Sequence, residues 1–208
     1  MHRMAISAAV FLILPVLVFA QGEFIDQWAL DSVAQSTRTV SSSGAPDQAG
    51  GEPNESACEL SDDESFRLLS WRPREDDAGI EWIELLFATP VHASAVEVHE
   101  ALNPGTVTRV SVRNLEGKLL EVWAGEDTNR TCPAVLRVEF EELSFPTNRV
   151  RIELNTSLVP GPNTIDAVKL GGRSIAGFEP EFLSVERIFG ESPGPARFST
   201  LTDYDNDG

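Results

Sequence analysis

Cysteine is almost missing from this chain, with two in 208 residues. That excludes four-thiol metal sites and a dense disulfide scaffold. Basic residues are also scarce: 16 Lys and Arg stand against 33 Asp and Glu, a net charge of −17. Such a surface repels phosphate backbones and anionic membranes, so nucleic acid is an unsuitable partner. The three histidines fit no H-E-x-x-H pair, and no G-x-S-x-G elbow or Walker loop is present. Adjacent acids such as Asp76-Asp77 and Glu141-Glu142 do not face each other across a bond, as glycosidase carboxylates must. The expectation is a chain that is not an enzyme. After the first 20 residues no apolar run is long enough to span a bilayer.

What is present begins with a targeting signal. Ala5 to Phe19 is nearly unbroken apolar sequence, and Val18-Phe-Ala20 offers small residues to a signal peptidase. Residues 1–20 are expected to be a cleaved signal peptide, leaving a secreted or cell-surface chain without stable membrane insertion. An even cysteine count in an exported chain then favours a Cys58–Cys132 disulfide.

Residues 21–63 show little regular patterning, and Ser41-Ser-Ser-Gly44 and Gly50-Gly51-Glu-Pro53 read as loop, with Trp28, Val33 and Val40 as anchors. From Glu81 the apolar period becomes two. Short strands are predicted at 81–87, 95–99, 107–113, 119–123, 135–140, 150–154 and 165–170, separated by turn signals such as Asn114-Leu-Glu-Gly117 and Phe145-Pro-Thr147. Seven short strands argue an all-β antiparallel sandwich, with a lectin-like barrel as the alternative. If each strand crosses the sandwich once, the connections 88–93, 114–117 and 141–147 share one end. Those at 70–80, 101–105, 125–133 and 155–163 share the other.

The second end carries the candidate ligand residues: Trp71, Asp76, Asp77, Asn103, Asp127, Asn129 and Asn163. Aromatics beside acids and amides can stack on a sugar face, whereas buried aromatics are a common core device. Both readings stand for Trp71 and Trp123; Trp82, in the most strongly patterned strand, is expected in the core. His92 and His99 read as structural. The sequons Asn54-Glu-Ser56, Asn129-Arg-Thr131 and Asn155-Thr-Ser157 are glycan acceptors if the source is a eukaryote.

Gly44-Ala-Pro-Asp47, Glu81-Trp-Ile-Glu-Leu-Leu-Phe87, Val96-Glu-Val-His-Glu100, Asn103-Pro-Gly105 and Ile165-Asp-Ala-Val168 together resemble the discoidin-like, galactose-binding-like β-sandwich modules of secreted and cell-surface proteins. Similar modules occur in large bacterial surface proteins, in pappalysin-type proteases and in an F-box protein. The resemblance covers Trp28 to Gly172. It implies a jelly-roll sandwich that serves binding or adhesion through loops at one end, with glycan or protein as partner. It also implies a cysteine after the Gly-Ala-Pro-Asp phrase and another before a proline, as in Cys58 and Cys132-Pro133. Where similar modules often read Pro-Gly-Trp-Asn-Glu-Ile-Asp, this chain has Pro160-Gly-Pro-Asn-Thr-Ile-Asp166. Asp166 is expected to tie the last loop to its neighbours.

The organisation expected is therefore a signal peptide at 1–20, a discoidin-like sandwich at 21–172, a connector at 173–197 and an Asp-rich segment at 198–208. In that segment Asp203, Asp205 and Asp207, followed by Gly208, form the first half of a calcium loop. It resembles the opening of a propeller-type or thrombospondin type 3 repeat, so calcium is the expected ion and a longer protein the expected context. Three functions follow: a binding or adhesion module, a structural spacer in a calcium-repeat surface protein, or an accessory domain of a secreted hydrolase.

Overall fold

The computed structural model describes residues 22–38, 43–63 and 66–176. The expected signal peptide, Val40, all but the start of the connector, and Asp203, Asp205 and Asp207 lie outside the described residues. Among the described residues the only helix is a 3-10 turn, Pro46–Ala49, and no helix is long and apolar enough to cross a membrane.

Eight strands run in the order β1 (Phe24–Trp28), β2 (Asp31–Ala34), β3 (Ile80–Glu100), β4 (Val107–Asn114), β5 (Leu119–Ala124), β6 (Ala134–Glu139), β7 (Thr147–Asn155) and β8 (Ile165–Ser174). All pairings are antiparallel, in the order β1-β8-β3-β7-β4-β5, with β2 and β6 also on β3.

The 21-residue β3 serves both layers of the sandwich. Its first half pairs with β2 and β7 through Ile83, Glu84 and Leu85. Its second half pairs with β6 and β8 through Val96, Glu97 and Val98. The register shifts between Leu86 and Val91, where an irregular corner carries the strand from one layer to the other. Residues 88–93 are therefore continuous strand, which corrects the expected connection there and places His92 in β3. Two predicted strands are one strand: Ala88-Thr-Pro-Val-His-Ala93 stays extended, and Pro90 falls at the register shift, where a missing ladder N–H is tolerated.

The alternation in β7 buries Val150, Ile152 and Leu154 and turns Arg149, Arg151 and Glu153 outward. Both layers feed one core cluster: Ile83, Leu85, Val110 and Ile152 from one, Val96, Val98, Val168 and Leu170 from the other. Each such fully buried aliphatic contributes roughly 1.5–3 kcal/mol relative to exposure.

Residues before β3 depart from expectation. The segment read as loop supplies β1 and β2, because backbone pairing with β8 and β3 overrides weak local patterning. Ala29 and Ala49 are buried there, while the expected anchor Val33 is 57% exposed. Trp28 lies half-buried on the outer face over His99, ring centroids 5.2 Å apart. Trp82 is a second correction: it is half-buried on the outer face, 3.9 Å beneath the Arg151 guanidinium. Its neighbour Ile83 takes the core position, so the alternation runs one residue out of the phase expected for the tryptophan. Trp123 is half-buried and packs on the core margin.

β8 also continues through Gly171 and Gly172 to Ser174, past the expected end of the sandwich. Gly172 opposes Ala93 of β3. A Cβ there would sit 2.5 Å from the His92 carbonyl oxygen and 2.7 Å from Ala93 Cα. Gly172→Ala is expected to cost about 1–3 kcal/mol by forcing β3 and β8 apart. A urea midpoint unchanged from wild type would show that the two backbones do not meet this closely.

Candidate functional site

The four connections expected at one end do gather there, and hydrogen bonds join them. The Gly161 amide donates to Asp77 Oδ1 at 3.0 Å and the Ser157 hydroxyl to the Asp77 carbonyl at 3.0 Å. Asn103 Nδ2 donates to the Pro162 carbonyl at 2.9 Å, and Asn163 Nδ2 to the Asn103 carbonyl at 3.0 Å. Arg130 Nη1 bonds within its own connection, to the carbonyls of Asp127 at 2.6 Å and Asn129 at 2.7 Å, and reaches across to the Gly105 carbonyl at 3.5 Å. At the opposite end the β3 corner stands where a connection was expected. The Leu143 amide donates to the Ala93 carbonyl at 2.9 Å, and His92 Nδ1 lies 2.8 Å from the Leu143 carbonyl.

The candidate residues are thus brought together, but as framework. Trp71 has no exposed surface, and its indole N–H donates to the Ser36 carbonyl at 3.1 Å. No ring face is left for a sugar, so the core reading replaces the ligand reading for Trp71. Asp76 is held bidentate by Arg72 at 2.8 and 2.7 Å. Asp127 and Asn163 are buried. Asn103, with φ of 45°, and Gly105, with φ of 100°, make the Asn-Pro-Gly turn. These positions need a left-handed backbone that asparagine and glycine supply.

Beneath that turn lies Glu100, at the end of β3 and 2% exposed. Its Oε1 accepts the Gly105 amide at 3.1 Å. Its Oε2 and Asp127 Oδ2 are both buried without a hydrogen-bond partner. Burial and the adjoining Asp127 carboxylate push the Glu100 pKa up to about 9, against the two turn amides that favour its anion. At neutral pH Glu100 is therefore held in its neutral form beside Asp127. Two such carboxyls are also the donor type a hard cation takes, but among the described residues no group of three or more His, Cys, Asp or Glu is placed to hold a metal.

Beside Glu100 a cavity of about 300 Å³ opens, lined by Asn54, His99, Pro133, Val135 and Asp166 among others. Asp166 Oδ1 accepts the amides of Asn54 and Glu55 at 3.2 and 3.1 Å, the tie expected of it. Its carboxyl is raised by burial and by the Glu55 charge, against those two amides. His99 is held neutral by burial, although Glu97 pulls the other way. Its Nε2 is buried and has no hydrogen-bond partner, Glu97 Oε2 standing off at 3.6 Å. Glu97 itself pairs with Arg137 and with Lys169 at 2.7 Å. Burial raises the Glu97 carboxyl, and these cations outweigh it and hold it low. The cavity therefore presents a neutral imidazole, carboxyls and backbone beside flat proline and aliphatic surface. That combination suits a hydroxyl-bearing ligand better than an apolar one.

Sequence reasoning put none of its ligand candidates in this cavity. His99 sits on the outer face of β3 and Asn54 comes from a distant loop, so only the Glu100 and Asp166 phrases signalled the place. Among the sequons, Asn54 is exposed on the cavity rim, and Asn129 and Asn155 are half-buried at the same end. The disulfide forms as expected, Cys58 to Cys132 with Cα atoms 5.6 Å apart. It links the segment carrying Asn54 to the one carrying Pro133 and Val135, the two walls of the cavity.

The family model of pappalysin-1, "SD scarf domain, C-terminal", matches residues 19–176. The chain belongs to this family. This scarf domain is also 31% identical over 103 residues to F-box/LRR-repeat protein 4 of Bos taurus, a match covering 44% of the chain and 17% of that protein. The chain thus spans less than a fifth of that relative's length. Among solved structures, the scarf domain is similar to truncated AlyQ with CBM32 and alginate lyase domains: TM-score 0.48, 14% identity, 74% of this chain and 34% of that one. It is also similar to the family 32 CBM from C. perfringens NanJ in complex with galactose: TM-score 0.46, 14% identity, 71% of this chain and 99% of that one.

Two outcomes are expected. The folded pKa of Glu100 lies above its ordinary 4.5. The folded scarf domain therefore keeps a proton that the unfolded chain releases. The stability this group allows is full below about pH 4.5 and falls as pH rises towards 9, by up to about 1.4 kcal/mol per pH unit. Glu100→Gln is neutral at every pH and should flatten the decline between pH 5 and 9. Thermal melts with equal slopes for both proteins would exclude the raised Glu100 pKa. Second, Cys58→Ser with Cys132→Ser should lower stability by about 4 kcal/mol on the chain-entropy model for this 74-residue separation. Equal denaturation midpoints with and without the bond would show that the bond does not restrain the unfolded chain.

Proposed function

We propose that this scarf domain is a secreted, non-catalytic recognition module that takes a glycan in the cavity beside Glu100. The observation that carries this is the cavity itself. It opens at the loop end, and its lining sets the Asn54 amide, the His99 imidazole and the Glu100 and Asp166 carboxyls beside Pro133 and Val135. Glycan hydroxyls both donate and accept, so they match a neutral imidazole and a protonated carboxyl where a charged ligand would not. The disulfide fixes both walls beforehand, which lowers the ordering cost of binding. An exported location agrees with the apolar leader sequence and the bonded cysteines.

Family membership supports a second reading: the scarf domain as an accessory part of a larger secreted hydrolase, delivering it to a glycan-bearing surface. In that longer protein Asp203, Asp205 and Asp207 would begin a calcium site completed by later residues.

A glycan array on the chain tests the first reading. Val135→Trp fills the cavity mouth from an exposed position, 37% accessible in the wild type. It is expected to weaken any glycan found by at least tenfold, and His99→Ala to weaken it less. Glycan binding equal in Val135→Trp and wild type would move the site elsewhere, and an array with no ligand would favour a spacer role.

A further inference from the structure

The outer face of the other layer holds a different chemistry. Three arginines, Arg113, Arg149 and Arg151, surround one carboxylate, Glu84, in a chain otherwise rich in acid. Glu84 is nearly buried, and its oxygens are already used. Oε1 accepts Arg113 Nε at 2.7 Å; Oε2 accepts Arg113 Nη2 at 2.6 Å and Arg151 Nε at 3.2 Å. The Arg113 hydrogen bonds hold the Glu84 carboxyl below its ordinary range despite burial, so it stays an anion. Arg149 is the surplus. Its Nη1 stops 3.7 Å from Glu84, outside hydrogen-bond range, and its side chain is 48% exposed. Two opposite charges at that separation near a surface gain little, so the Arg149 guanidinium keeps nearly all of its capacity for another anion.

Two grooves meet at that side chain. One, of about 320 Å³, runs between the β4–β5 turn and the start of β7, past Arg113, Asn114 and Asn148. The other, of about 160 Å³, runs beside β2, past Val33 and Leu86. Arg149 lines both grooves, so they form one track with a planar cation at its middle. Each groove also carries an acid: Glu116 in the first and Asp31 in the second. A densely anionic chain would meet repulsion in both grooves. A chain with one anionic group flanked by neutral, hydroxyl-bearing units would not.

We propose that this track binds a linear polysaccharide bearing one oxyanion per disaccharide, its carboxylate or sulfate held by Arg149 and the adjoining neutral sugars lying towards Leu86 and Asn114. Guanidinium takes either oxyanion through paired hydrogen bonds. The site lies on the outer face of the β2–β3–β7–β4 layer and does not involve the cavity beside Glu100, so the failure of one reading leaves the other standing.

The test is calorimetry on the full chain in about 50 mM salt. The probes are hyaluronan oligosaccharides (carboxylate only), keratan sulfate (sulfate only) and carboxyl-reduced hyaluronan (no anion). Wild type is expected to bind at least one of the first two and to ignore the third. Arg149→Glu should weaken that binding at least tenfold, as loss of a charge-assisted contact does. Arg109→Gln serves as the control: it is equally exposed on the same layer, engaged with Glu121 and Glu153 and outside the track, and should bind like wild type. Circular dichroism establishes that both variants fold. No binding of either anionic probe overturns the proposal and leaves the face to an acidic protein surface. Equal affinity for the carboxyl-reduced chain, or equal affinity in Arg149→Glu, overturns it as well.

Discussion

β3 is one covalent strand that must satisfy two sheets at once. Its first half is committed to β2 and β7, its second half to β6 and β8. A shift of one residue in either half would turn core side chains such as Leu85 or Val98 outward. The corner between Leu86 and Val91 lets each half keep its own register. Because both layers are anchored on the same chain, the two ends of the sandwich follow. Glu100, at the last position of β3, delivers the loop end, and the corner itself closes the other.

Two glutamates of β3 show how burial is handled in opposite ways. Glu84 keeps its charge because Arg113 and Arg151 surround it on the outer face. Glu100 gives up its charge because its nearest titratable neighbour is another carboxyl beneath a closed turn. The first arrangement leaves an excess guanidinium at the surface. The second leaves a neutral, proton-donating floor beside a cavity. Both consequences come from what faces each side chain, since each is a glutamate in the same strand.

The loop end is therefore a built framework with a cavity at its side. Asp77 Oδ1 and the side-chain N–H groups of Asn103 and Asn163 bond neighbouring loops, while Asn163 Oδ1 is buried without a partner. The residues left to meet a ligand are those at the joint between β3, the segment after the 3-10 turn and the start of β6.

The sequence by itself determined the all-β class, the alternation in β4, β6 and β7, the pairing of its two cysteines and the gathering of four connections at one end. Those properties depend on periodicity, turn residues and counting, which are local. Only the tertiary structure decided that residues 88–93 are a corner within one strand, because Pro90 reads locally as a strand end whether the chain turns or only bends between sheets. It also decided the fates of the tryptophans. Trp71 is walled in by the Ile165 bridge and the Ser36 carbonyl, and Trp82 is left beneath Arg151, because phase relative to the core is fixed by partner strands far away in sequence. The cavity shares that origin: His99, Pro133, Asp166 and Asn54 are separated by long stretches of chain, and strand pairing together with one disulfide brings them to the same wall.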